Sequence, residues 1–519
     1  MRILGMKPDH DGSIAFARGN DLVFSLEGEK GSFERYRDLS ALTLADAALL
    51  ADEPPDVLAV GGWDKHLPGH YGKAAAGYFG LDAVEVSEAK FFGRPVTFFS
   101  SSHERSHIFM SAALSPEAPI EECVILVWEG VLGAFYHWRK HGKKIIKRHV
   151  LTEPGARYAA LFGLADPTFL DRRDPRFEDA GKLMALAAYG DAAKVSRPAA
   201  ATIEALLTCR TVYPFDKKNF ADSPLHDCGL DDPTLHNAAQ YLSDRLFDIF
   251  HRVAEAEFSQ GLPLLVSGGC GLNCEWNKRW VDSGLFSSVF VPPCTNDSGS
   301  AIGTVADAMS HLGNPCKLDW SVYAGTPFRH DSIPDPTRWA AQPVDLTAVA
   351  RLLAHNEVLA WVQGRYEIGP RALGHRSLLA SPLAARSRTT LNTIKEREPY
   401  RPIAPCCLSD ELDKWFDDAI ADPYMLYFSR VTTDALPAIT HVDQTARVQT
   451  VFPDDESSLA PLLSAFRKQT GYGVLCNTSL NFKGHGFIND MSDLLAYCEL
   501  KKINNAVLDD TWYTRVSYK

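Results

Sequence analysis

Apolar and polar positions change period along this chain, and the changes outline its elements. Residues 2–6 (RILGM), 13–18 (SIAFAR) and 21–26 (DLVFSL) are short apolar runs that read as strands. Gly19-Asn20 between the last two is a hairpin turn signal. CVILVWEG at 123–130, followed by AFYHW, predicts a further strand pair. Over 236–260 apolar residues recur every three or four positions, which predicts a long amphipathic helix. PLLVSGG (263–269) and SVFVPP (288–293) read as buried strands, the first ending in a glycine loop. Strands alternating with helices make this an α/β protein.

From about 313 to 345 the pattern gives way to an irregular, proline-rich and aromatic stretch, which reads as a linker. A helix near Asp345 and the strand-and-loop VLAWVQGR then open a second domain. The expected division is 1–340 and 345–519. No internal repeat or low-complexity tract interrupts it.

Composition narrows the function. The 519 residues carry a net charge of −12, with 45% hydrophobic and 23% charged positions. That balance disfavours a broad nucleic-acid or anionic-membrane surface and still allows a local basic pocket for a small anion. MRILGMKPDHDGS lacks the long apolar region of a signal peptide. No run reaches the roughly 18 apolar residues of a membrane span. The eleven cysteines are scattered without a CxxC pair, as in a cytoplasmic enzyme with reduced thiols.

Four stretches carry candidate chemistry. His103-Glu-Arg-Ser-His107 is an HExxH motif, and on a helix its two histidines share one face and can share a metal. The zinc peptidase reading assigns Glu104 to a water, but Met110 and Ala113 stand where the extended motif has its later Gly and His. His10, flanked by Asp9 and Asp11 after the first strand, is placed as a general base; a solvated turn is the other reading. Two loops, Ser267-Gly268-Gly269-Cys-Gly-Leu-Asn273 and Asn296-Asp297-Ser298-Gly299, follow strands and can hold phosphate, with Asp297 as a hard metal ligand. The densest stretch is Gln363–Ser377, with Arg365, Arg371 and Arg376, followed by Lys395 and Arg401, then Arg447, Asn477, Asn481 and Lys483. So much guanidinium among fixed Gly and Pro turns suggests a polyanion site such as a nucleoside triphosphate with a second phosphate compound.

The order of these motifs is itself informative: HDGS, HxxxH, Glu129-Gly130, GKLMALAAYG (181–190), SGGCGLN, VPPCTNDSGSAIG, GRYEIGPRALGHRS, KEREPYRPIAP, HVDQTARVQTV and CNTSLNFKG. Nearly end to end, it resembles the O-carbamoyltransferase family of nodulation and antibiotic-tailoring enzymes. Within that family the chain length and the opening LVFSLEGEKGSF look most like the cephem-modifying branch. The resemblance implies an N-terminal actin-like (ASKHA) domain of two ribonuclease-H-like lobes and a C-terminal YrdC-like α/β domain. It implies that the C-terminal domain makes carbamoyl adenylate from carbamoyl phosphate and ATP with Mg2+. The N-terminal domain then transfers the carbamoyl group to a hydroxyl.

By the same resemblance His103, His107 and Asp297 are metal ligands, for Fe2+ or for Mn2+ or Zn2+. Glu129 stands where the family usually has Asp. His10 becomes the general base, with Asp9 or Asp11 orienting it or meeting the metal. Arg371, Lys395, Arg401 and Arg447 fall where the family holds carbamoyl phosphate and the ATP phosphates, with Arg365, Arg376, Asn477, Asn481 and Lys483 in the same motifs. Gly268, Gly269, Asn273 and Gly299 belong to its nucleotide-binding loops. The acceptor is a hydroxyl-bearing small molecule: a cephem hydroxymethyl, a macrolide or other sugar hydroxyl and a nucleoside hydroxyl all fit. Its pocket is expected from segments 29–40, 60–75 and 165–178, where Arg172, Arg173 and Arg176 could meet a carboxylate or could be a plain surface charge run. The family suggests a homodimer, with no nucleic acid or membrane partner. An ASKHA-type nucleotide-binding protein without carbamoyl chemistry is the competing reading from another class.

Overall fold

The first three strands, β1 (Arg2–Lys7), β2 (Ser13–Arg18) and β3 (Asp21–Glu27), form the expected antiparallel meander, with Gly19 at φ 58° in the turn. The computed structural model describes residues 1–31, 34–62, 76–258 and 261–516. The expected acceptor positions 63–75 therefore lie outside the described residues. The chain divides into two compact units. One comprises 1–119, 292–440 and 444–519, and the other comprises 120–291 with 441–443.

In the first unit the meander joins β4 (Val57–Gly61), β5 (Val84–Phe91) and β6 (Arg94–Ser101) in the order β3-β2-β1-β4-β6-β5. β1, β4 and β6 run parallel, so their C-terminal ends share one edge. The loop after β1 carries His10, and β6 leads into helix α1 (His103–Leu114). A crevice beyond the carboxyl ends of parallel strands is where α/β sheets place ligands.

In the second unit β7 (Cys123–Trp128), β8 (Gly133–Arg139) and β9 (Lys144–His149) repeat the meander. With β10 (Leu264–Ser267) and β11 (Val289–Phe290) parallel beside β7, the order is β11-β10-β7-β8-β9. Meander first and parallel strands on the other side of strand one is the ribonuclease-H-like order expected of both lobes. The long helix runs over Pro233–Glu257 as α2, and its buried face includes Leu242, Leu246 and Phe250. Trp128 stacks between Phe250 and Trp276, with ring centroids 4.6 and 4.4 Å away.

The C-terminal residues of the first unit build an eight-stranded mixed sheet, with β12 (Trp339–Pro343), β13 (Leu359–Val362), β14 (Arg376–Ala380), β15 (Ala404–Leu408), β16 (Gln449–Val451), β17 (Val474–Ser479), β18 (Asn505–Leu508) and β19 (Thr511–Arg515). Their order is β12-β19-β18-β13-β14-β17-β15-β16. Apolar cores cover both faces, as buried strands with few polar residues require. The proline-rich stretch before it is irregular as expected, but it is packed. Leu22 N donates to Asp319 O (2.9 Å) and Ser25 N to Ala324 O (2.8 Å), so the stretch lies along β3. Among the described residues no helix is long and apolar enough to cross a membrane.

Helix α3 (Ser300–His311) crosses α1 at glycine contacts. A Cβ on Gly303 would stand 1.8 Å from Ser106 O, and one on Gly299 would stand 2.3 Å from Met110 Sδ. Only hydrogen at these positions allows the approach. Gly303→Ala is expected to lower the unfolding free energy by roughly 1–3 kcal/mol, the usual result of overpacking. Denaturant midpoints of the two proteins measure it.

Candidate metal centre and anion site

Helix α1 begins where Ser102 Oγ accepts the Arg105 amide at 3.2 Å. One face of its first turns presents His103 and His107, both fully buried. Their Nε2 atoms are 3.0 Å apart. Asp297, buried in the loop that opens α3, turns Oδ1 to His107 Nε2 at 3.2 Å and Oδ2 to His103 Nε2 at 3.6 Å. Two imidazole nitrogens and a carboxylate converge, with ligand atoms within 4.8 Å of one another. One proton between the two rings is a poor substitute for a cation that takes both lone pairs. The nitrogen and oxygen donors suit a first-row divalent metal. Glu104 accepts the Gly80 amide at 2.8 Å.

The loop after β1 approaches the same carboxylate. His10 Nε2 lies 3.0 Å from Asp297 Oδ2, and His10 Nδ1 lies 4.0 Å from Asp9 Oδ1. Beneath them Lys7 is wholly buried, donating from Nζ to Asp9 Oδ1 and the His10 carbonyl, and it stands 3.7 Å from Asp297 Oδ2. Burial disfavours the Asp297 charge, yet His103, hydrogen bonds with His10 and His107, and Lys7 together hold its carboxyl well below the usual range. Asp11 is pushed up to about 7, first by burial and then by the Asp297 charge, with His10 and Lys7 opposing. His10 is raised overall: burial and Lys7 act against its charge, and Asp297 and Asp9 outweigh them.

In the second unit Glu129 ends β7, nearly buried, with Oε1 accepting the Leu132 amide at 3.2 Å. Gly268 takes φ 97° because its backbone lies against Trp128, whose carbonyl oxygen would be 2.5 Å from a Cβ. A Cβ on Gly269 would point into open space. Asn273 caps the helix Cys274–Asp282, its side chain accepting the amides of Glu275 and Trp276. Arg176 is held by Asp166 (3.2 Å) and Asp179 (2.6 Å). Arg172 and Arg173 are exposed and make no ion pair among the described residues.

The C-terminal arginines divide into two groups. Arg376 is fully buried and donates to the carbonyls of Gln363, Gly364 and His375 and to Asn489 Oδ1. Arg365 donates to the carbonyls of Gly325 (2.6 Å), Val23 (2.9 Å) and Ala324 (3.0 Å). All the donors of Arg376 are used, and Arg365 is committed to three carbonyls through Nε and Nη2. Glu367, unnoticed in the sequence, winds the intervening loop by accepting the amides of Leu373 (2.7 Å), His375 (2.8 Å) and Arg376 (3.1 Å). Arg371 stands half-buried in that loop.

In the second group positive charge outweighs the one nearby carboxylate, Glu398, whose Oε2 stands 3.9 Å from Arg401 Nη1. Lys395 ends the helix Arg386–Ile394 and is buried, with Nζ donating to Ser479 O (2.7 Å), Asn481 O (3.1 Å) and Asn481 Oδ1. Burial, then Arg397, Arg35, Lys501 and Arg401, push its ammonium well down from the ordinary lysine value. Burial and the charges of Arg401 and Arg447 likewise lower Arg397. Arg447 Nε is buried without a hydrogen-bond partner. Cations gathered in this way can hold an anion. Asn477 is buried, donating to Ala372 O (3.1 Å) and Gln449 Oε1 (2.9 Å), and Lys483 is exposed. Lys7, Glu367 and Arg397 had no sequence signal beyond being charged residues near motifs.

Comparison with known proteins covers both halves of the chain. A family model of the carbamoyltransferase N-terminus matches residues 76–306, and one of the carbamoyltransferase C-terminus matches 350–515. The 3'-hydroxymethylcephem-O-carbamoyltransferase of Amycolatopsis lactamdurans is 50% identical, over 99% of this chain and 99% of that protein. The protein of the same name from Streptomyces clavuligerus is 49% identical over 100% of both. Nodulation protein U of Rhizobium tropici is 32% identical, over 99% of this chain and 96% of its own.

The two arginine groups should separate by stability. Arg376→Ala strands several buried acceptors and is expected to lower the unfolding free energy by at least about 3 kcal/mol. Arg447→Ala, which relieves repulsion, is expected to stay within about 1 kcal/mol of the parent. Chemical denaturation without ligands measures both.

Proposed function

The chain belongs to the O-carbamoyltransferase family, and from that premise we propose that it carbamoylates the hydroxymethyl group of a cephem in two stages. The convergence of His10, His103 and His107 on Asp297 carries the reading, in a chain half identical along its whole length to two enzymes named for that acceptor.

In the first stage carbamoyl phosphate, ATP and one water give carbamoyl adenylate, phosphate and pyrophosphate. Lys395, Arg397, Arg401 and Arg447 supply the positive charge that gathers these anions and disperses the charge building on the transferred groups. Arg371, in the loop organised by Glu367, joins them. Arg365 and Arg376 act one step back, holding the loop by its carbonyls. In the second stage the acceptor oxygen attacks the carbamoyl carbon, His10 takes its proton, and AMP leaves with the C–O bond electrons. Asp297, His103 and His107 would hold a divalent metal, Fe2+ or Mn2+ or Zn2+, which supplies Lewis-acid stabilisation of the departing phosphate when bound. Lys7 fixes the His10 loop from below. Carbamoyl adenylate is open to hydrolysis, which favours a shielded path from one stage to the other.

Purified protein with ATP, carbamoyl phosphate and Fe2+ should form AMP and pyrophosphate without any acceptor, and Lys395→Ala should abolish this. Nucleotide analysis decides; untouched ATP, or ADP as the product, overturns the reading. With a 3-hydroxymethylcephem present, His10→Asn should lower carbamoyl transfer by about 10²–10⁴-fold, the usual contribution of a general base, while AMP formation continues. His107→Ala should lower the transition metal bound per chain, read by elemental analysis.

A further inference from the structure

The segment that leaves β3, Leu26-Glu27-Gly28-Glu29-Lys30-Gly31, ends up between the two chemistries. Glu27 and Lys30 are each 5% exposed. Glu27 Oε1 accepts the Gly369 amide at 2.6 Å, and Ser298, next to Asp297, is an electrostatic neighbour of the same carboxylate. Lys30 Nζ donates to the Gly369 carbonyl and stands 3.4 Å from the Glu367 carbonyl. Its ammonium lies 3.6 Å from the centre of the Phe487 ring and 4.0 Å from Glu27 Oε2. Around this pair the backbones are in tight contact. A Cβ on Gly369 would be 2.3 Å from Pro293 O, and one on Gly486 would be 2.2 Å from Glu29 O.

So the loop that carries Asp297 and the loop that carries Arg371 meet directly, and two buried charges from the first lobe grip the junction. A cavity of about 180 Å³ adjoins it, with Glu27 and Lys30 in its wall beside Thr326, Tyr366, His485 and Phe487. At roughly 30 Å³ per water that space holds several molecules. Glu27 and Lys30 therefore line both the cavity and the junction of the two loops.

We propose that Glu27 and Lys30 are positioning residues that clamp the Asp297 loop onto the Arg371 loop, so that the activated carbamoyl group is delivered to the acceptor instead of being hydrolysed. Neither residue touches the reacting atoms. Charge at these positions is costly to bury, and neither residue is needed for acid–base chemistry in the two stages. Their effect is on geometry. The inference rests on the two-stage reading above.

The test is the amount of AMP released per acceptor carbamoylated, with ATP, carbamoyl phosphate and a 3-hydroxymethylcephem present. The intact protein should release close to one AMP per product. Lys30→Met, which removes the grip on Gly369 and Glu367, should raise the ratio by about threefold or more, since small misplacements are enough to divert a reactive intermediate. Glu27→Gln keeps the size and the acceptor for Gly369 while losing the charge, so it remains informative if Lys30→Met folds poorly; it should raise the ratio by about twofold. A ratio that stays near one in both variants, whatever their rates, overturns the clamp. Failure of the underlying reading looks different: the unaltered protein would form no AMP, or no carbamoylated cephem.

Discussion

One buried carboxylate organises this molecule. Asp297 is met by His107 and His103 from α1 and by His10 and Lys7 from the end of β1. An isolated carboxylate in so dry a place would take a proton, because the ionic form loses several kcal/mol on leaving water. Here surrounding cations and donors keep it ionised. The requirement runs outward into the fold. The loop after β1 must curl back over its strand, which Lys7 enforces through the His10 carbonyl. α3 must start where α1 passes, which Gly299 and Gly303 permit by bringing no side chain to the crossing. The parallel strands β1, β4 and β6 then bring the His10 loop and the start of α1 to one edge of one sheet.

The arginine-rich half shows the opposite use of charge. At Asp297, unlike charges are gathered until each is satisfied. Around Lys395 like charges are gathered: burial first, and then the neighbouring cations, lower the hold of Lys395, Arg397 and Arg401 on a proton. Such an arrangement is unfavourable alone, and an anion placed among these cations would relieve the repulsion between them. Arg376 shows why this is not simply a basic segment. It sits among the same motifs, yet every direction its fork can point meets a carbonyl or Asn489.

That contrast marks the limit of what the sequence makes legible. The hairpin at 19–20, the strands at 123–128 and 359–362, the helix at 233–257 and the two-histidine helix follow from local period and turn chemistry, and they stand where the pattern puts them. SVFVPP is reduced to a two-residue strand, because its prolines break the ladder and the chain turns toward Asp297. The roles of the arginines are not local. Arg365 and Arg376 look like Arg401 and Arg447 until the carbonyls of residues far along the chain come into place. Buried lysines are less legible still: Lys7, Lys30 and Lys395 occur in ordinary polar stretches, and nothing nearby announces that tertiary contacts will close over them.

The burial of Lys30 has a physical reason beyond packing. Its ammonium is satisfied by a backbone carbonyl and an aromatic face, with Glu27 at 4.0 Å, and an apolar side chain of similar volume would be cheaper to bury there. What an apolar side chain lacks is direction. A donor fixed on the Gly369 carbonyl, with Glu27 on the amide of the same residue, sets both the position and the tilt of one peptide unit. The next residues are Pro370 and Arg371, and the fixed φ of proline removes one rotation between that peptide and the backbone of Arg371. On the other side Gly369 lies against the backbone of Pro293, in the stretch that leads to Asp297. Two loops with separate chemical tasks thus take their positions from one short segment of β-strand exit.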